Sequence, residues 1–140
     1  MPLALPRKTI ELFSRAVSPE AQKKMILEKL GDLSEVQVMF NMVLVVPYIE
    51  PEKSDGGIFL PQERVAESIW QGKSAVVVKM GPDAFVDDEH NKFNGQKVKV
   101  GDWCVFKIGD AWLVEIKKIP CRLVEDSNIK MVVTDPSIIF

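Results

Sequence analysis

The sequence predicts a mostly β protein, a small barrel or sandwich, preceded by an N-terminal helical arm. Three observations carry this. From Val36 onward, short apolar runs rich in β-branched residues recur every ~8–12 residues with turn signals between them. Those turn signals are Gly81-Pro82-Asp83, Asn94-Gly95, Gly101-Asp102, Gly109-Asp110 and Asp126-Ser127-Asn128. Before Val36 the periodicity is helical, and the helix start and stop are both written in the sequence.

The arm comprises residues 1–35. Ser18-Pro19-Glu20 opens a helix: serine caps free N–H groups, proline suits the first turn and the acid complements the dipole. Gly31 closes it as a left-handed cap. Gln22, Met25, Ile26 and Leu30 share one face, with Leu27 beside it. An earlier helix is expected over Thr9–Val17. Such short helices cannot bury their faces alone, so they pack on the body, on a neighbouring subunit or on a partner.

The body spans residues 36–135. Strands are expected over Val36–Val46, Lys73–Met80, Lys97–Val100, Trp103–Lys107, Trp112–Ile116, Cys121–Val124 and Ile129–Thr134. Trp103 and Val105 alternate with Cys104 and Phe106, so both faces of that strand are apolar and the outer one must meet a helix or a subunit. The first and last strands are long and apolar. If they stay unpaired within the chain they pair between chains, which predicts a homo-oligomer. Residues 136–140 form an apolar tail, Ile138-Ile139-Phe140 at its end, expected to rest on another surface.

Composition narrows the function. Of 140 residues, 46% are hydrophobic and 27% charged, and 20 acids against 18 bases leave a net charge of −2. No basic surplus points to nucleic acid. No apolar run reaches the ~18–20 residues of a membrane span, and MPLALPRKTI lacks a secretory apolar core, so a cytoplasmic location is expected. One histidine, His90, and one tyrosine, Tyr48, leave little for acid–base catalysis, and the two cysteines, Cys104 and Cys121, with that histidine do not make a metal site. Cys104, between Trp103 and Val105, is expected as a buried thiol and His90 as an exposed loop residue. No enzyme, no metal and no cofactor are expected.

The most informative stretch is the 23-residue segment 50–72 between Ile49 and Lys73. A connection this long in a compact domain usually carries function or is disordered. It is mostly polar, with the apolar triplet Ile58-Phe59-Leu60 fenced by Gly56-Gly57 and Pro61. The triplet either packs on the barrel or is a recognition motif exposed while free and buried on docking. Trp70 is expected to anchor the segment's far end.

Four blocks in order then resemble the GroES-type co-chaperonins over roughly residues 38–135: Val43-Leu44-Val45, Gly56-Gly57-Ile58-Phe59-Leu60-Pro61, Ala75 to Gly81, and Val98-Lys99-Val100-Gly101-Asp102-Trp103-Cys104-Val105-Phe106. Arg122 to Val133 resembles the closing strands. Met80 to Phe85 and Val133-Thr134-Asp135-Pro136 look most like bacteriophage-encoded members. The resemblance implies a Greek-key β-barrel subunit of a ring, usually seven-membered, whose neighbours join through N- and C-terminal strands and which caps a chaperonin cavity and assists protein folding. For a phage-encoded member, the implied client is a capsid protein in the host cytoplasm. It further implies a mobile loop over 50–72, a roof hairpin over 81–95, and binding of Ile58, Phe59 and Leu60, with Gly56 and Gly57 as the turn, to the apical domains of an ATP-bound chaperonin. The arm and tail have no counterpart in the usual pattern. They leave open a second reading, a GroES-like barrel recruited as a capsid-binding or head–tail component of a virion.

Overall fold

The structure, a computed structural model, describes residues 18–49 and 73–139. The helix expected over Thr9–Val17 lies outside the described residues, as do segment 50–72 and Phe140.

Helix α1 (Pro19–Leu30) begins and ends on its predicted signals. The Ser18 side chain accepts the Ala21 N–H at 3.1 Å, and Gly31, at φ +58°, donates its N–H to the Leu27 carbonyl. Gln22, Ile26 and Leu30, spaced four apart, form the buried stripe. Leu27 lies off it, 37% exposed.

Among the described residues six strands follow: β1 (Met42–Pro47), β2 (Ser74–Met80), β3 (Trp103–Phe106), β4 (Ala111–Ile116), β5 (Ile119–Glu125) and β6 (Ile129–Val133). They form one antiparallel sheet in the order β4-β5-β1-β2-β3-β6. The fold is therefore mostly β with one helix near the N-terminus among the described residues. Alternate residues supply two apolar layers. Val43, Val45, Ala75, Val77, Cys104, Phe106 and Val124 form one with Val98. Leu44, Val46, Val76, Val78, Trp103, Ile119 and Cys121 form the other with Ile26 and Leu30 of α1. Strands β1 and β2 are buried on both faces, which is why they read as continuous apolar runs. Trp103 and Cys104 take opposite layers, and the Trp103 side meets a helix, as their alternation predicts.

Several expectations are corrected. The first strand starts at Met42, not Val36, because Phe40 takes φ +54° and the Met42 N–H turns back to the Met39 carbonyl at 3.2 Å. Nor is that strand an open edge: β1 lies inside the sheet, bonded to β2 and β5, so among the described residues the edge strands are β4 and β6. Lys97–Val100 forms no strand. There the Asp102 carboxylate accepts the Lys99 N–H at 2.9 Å, and Gly101, at φ +97°, donates to the Val77 carbonyl, folding the run into a turn. In place of the hairpin expected over 81–95 stand turns without strands. The Asp88 carboxylate accepts the N–H groups of His90 and Asn91, and Asp87 that of Phe93, each at 2.7 Å, taking donors a ladder needs. Those N–H groups, Asn91 first and His90 next, hold the Asp88 carboxyl below its ordinary range. At Asn94-Gly95 both residues have positive φ and the Gln96 N–H closes on the Phe93 carbonyl, the tight turn predicted there.

Buried Asp126 joins this excursion to the sheet. Its carboxylate accepts the Phe85 N–H at 2.9 Å, the Asn41 side-chain amide at 3.0 Å and the Ser127 N–H at 2.7 Å.

Candidate functional site

The predicted binding residues Gly56, Gly57, Ile58, Phe59 and Leu60, and Trp70 beyond them, lie outside the described residues. What the structure describes is the pair of roots from which their segment leaves the sheet and to which it returns.

The outgoing root is the end of β1. Pro47 pairs with Ala75, and the Tyr48 N–H donates to the Ser74 carbonyl at 2.9 Å, so the ladder runs up to the residue before Ile49. The returning root is Lys73, whose carbonyl accepts the Phe106 N–H at 3.0 Å from β3. The two roots thus sit side by side, each bonded to a different neighbour. The chain therefore leaves and re-enters the sheet at one spot.

Ile49 itself is fully buried. Its backbone is matched by a side chain: Gln22 of α1 accepts the Ile49 N–H on Oε1 at 2.8 Å and donates Nε2–H to the Ile49 carbonyl at 2.6 Å. The amide supplies one donor and one acceptor, as a neighbouring strand would, and Gln22 is itself fully buried. Beside it, Tyr48 and Trp103 meet edge to face with ring centroids 5.5 Å apart. Sequence reasoning placed Gln22 on the apolar face of α1 without assigning it a task. A polar residue in an apolar stripe was the available signal, because a buried amide needs partners.

The remaining reactive groups are poor nucleophiles. Cys104 and Cys121 are fully buried, and burial pushes each thiol up from 9.0 to about 12. His90 is exposed, as expected. The tail is only partly seated: Pro136 is buried, but Ile138 is 62% exposed. The exposed apolar side chains include Trp112 on β4 and Met131 and Val132 on β6, the edge strands among the described residues. Among the described residues no helix is long and apolar enough to cross a membrane.

With this geometry in place, comparison with known protein families gives a match. A family model described as Cpn10, Chaperonin 10 Kd subunit, matches residues 35–133. It begins after α1, runs through all six strands and ends on the last residue of β6. No curated protein matches the chain.

Proposed function

From the premise that the chain belongs to the chaperonin 10 Kd subunit family, we propose that it closes a chaperonin cavity by presenting segment 50–72 to the chaperonin's apical domains. Membership carries the general role, that of a co-chaperonin: a non-enzymatic regulator that works with a chaperonin and assembles as a ring. The finer reading is ours. Ile58, Phe59 and Leu60 enter an apolar groove on each apical domain, and Gly56-Gly57 form the turn that presents them. Seven subunits make the ring, and the ATP-bound chaperonin is the partner. The chain is phage-encoded and serves capsid-protein folding in the host cytoplasm.

One observation supports this reading most. The family match includes segment 50–72, and the described roots of that segment lie adjacent, joined by the Tyr48–Ser74 hydrogen bond. Energetics fit a capping role. Ordering a loop costs ~1–2 kcal/mol per residue, against ~1.5–3 kcal/mol per buried apolar side chain, so one triplet binds weakly. Several triplets on one ring make later contacts intramolecular and raise avidity by ~10²–10⁴. The lid is then tight when assembled and still releasable.

The test is co-sedimentation of purified rings with a chaperonin, with and without ATP, using wild type and Phe59→Ala. The expected result is ATP-dependent association of wild type and its loss in Phe59→Ala, with ring mass unchanged by sedimentation velocity. Wild-type rings that ignore the chaperonin, or a Phe59→Ala ring that caps normally, overturn the proposal.

A further inference from the structure

We infer that Gln22 is a positioning residue, whose amide fixes the point and direction at which segment 50–72 leaves the sheet. This rests on the capping role proposed above and extends it to a helix that the family match, residues 35–133, leaves out.

Three observations carry the inference. The last β1–β2 bond is that of Tyr48 to Ser74, and at the next residue, Ile49, the backbone is bonded to Gln22 while still fully buried. Gln22 then holds both backbone groups of Ile49, at 2.6 and 2.8 Å. Two bonds to the N–H and C=O of one residue fix orientation as well as place, which a single bond or an apolar contact cannot do. Finally, α1 is itself tied to the frame at both ends. Lys23 donates to the Gly101 carbonyl at 3.1 Å, and Lys117, between β4 and β5, donates to the Leu30 carbonyl at 2.6 Å. The helix therefore passes the position of the sheet on to the root of the segment. An apolar side chain in this stripe fills the same space without the desolvation cost of an amide. What only the amide adds is direction. Pre-set direction at the root reduces the ordering needed when the segment docks.

The experiment compares assembled rings of wild type, Gln22→Met, Gln22→Glu and Ile26→Val for affinity to an ATP-loaded chaperonin by biolayer interferometry, with melting temperatures measured alongside. Gln22→Met keeps the length of the side chain and loses both bonds. Gln22→Glu keeps the acceptor for the Ile49 N–H but sets an oxygen against the Ile49 carbonyl. Ile26→Val removes a buried methylene from the same stripe and leaves the amide alone. Both Gln22 variants are expected to lose about tenfold or more in apparent affinity, since a small loss at each loop multiplies around a ring. Ile26→Val is expected to stay within about twofold of wild type. A Gln22→Met ring that binds as well as an Ile26→Val ring of similar melting temperature overturns the inference while the capping role stands. Wild-type rings that do not bind overturn the capping role itself. If neither Gln22 variant assembles, amide hydrogen exchange of the wild type decides. Equal protection of the Ile49 N–H in free and chaperonin-bound rings is expected, and its release on binding overturns the inference.

Discussion

Raising the pH from 8 to 10 should destabilise the folded chain by about 3 kcal/mol through its two thiols alone. Cys104 and Cys121 are fully buried in opposite layers of the sheet. Burial is the main cause of their raised ionisation, from 9.0 to about 12 each. At Cys104 its own backbone hydrogen bond opposes the rise and Asp102 adds to it; at Cys121 the Ile116 backbone opposes and Glu115 adds. Below pH 9 both thiols are protonated in folded and unfolded chains alike, and their contribution is fully present. Between pH 9 and 12 the unfolded thiols release protons that the folded ones keep. The folded state then binds more protons, so stability falls as pH rises, by about 1.4 kcal/mol per unit per thiol. The same shift cuts the thiolate fraction at pH 8 about a thousandfold relative to the unfolded chain. Urea unfolding at pH 8, 9 and 10, under reducing conditions and at one protein concentration, measures the slope. Cys104→Ala should remove about half of this thiol share and the double alanine variant all of it. Equal pH dependence in wild type and double variant refutes the reasoning, as does alkylation of the native thiols at the unfolded rate.

Two further outcomes follow from close contacts. In Gly81→Ala the added Cβ falls 2.2 Å from the Phe40 carbonyl oxygen and 2.8 Å from that of Met39, while the Gly81 N–H is held by the Met42 carbonyl. Backbone must move, and a loss of about 3 kcal/mol or more should appear as a lower urea midpoint with unchanged slope. Asp126→Ala deprives the Phe85 and Ser127 N–H groups and the Asn41 amide of their acceptor. At about 1 kcal/mol for each part-buried donor, unfolding free energy should drop by about 3 kcal/mol, and exchange of the Phe85 amide should quicken.

The sequence was most legible where a single residue dictates backbone geometry. Ser18, Pro19 and Gly31 mark α1 because capping is local chemistry, and Asn94-Gly95 marks its turn because few residue pairs tolerate two positive φ values. The two-layer core was legible from the alternation at Trp103 and Cys104. It was less legible where a non-glycine residue reverses the chain. Nothing in Val36 to Asn41 announces that Phe40 sits at φ +54°, so an apolar run read as strand is a turn. Lys97–Val100 and 81–95 failed for another reason: the carboxylates of Asp102, Asp87 and Asp88 claim backbone donors, and spacing alone does not reveal that competition. The family blocks singled out Ile58-Phe59-Leu60, which lie outside the described residues, whereas the Gln22–Ile49 contact joins residues 27 apart in sequence and is visible only once the helix lies on the sheet.

The two roots of segment 50–72 belong to β1 and β2, the third and fourth of six strands in the sheet order. A tug on either root therefore runs lengthwise down a strand with a bonded neighbour on each side. Such a load shears many hydrogen bonds together, whereas a strand at the rim unzips them one at a time. A pull applied at these two strand ends therefore meets the part of the described sheet that resists separation most.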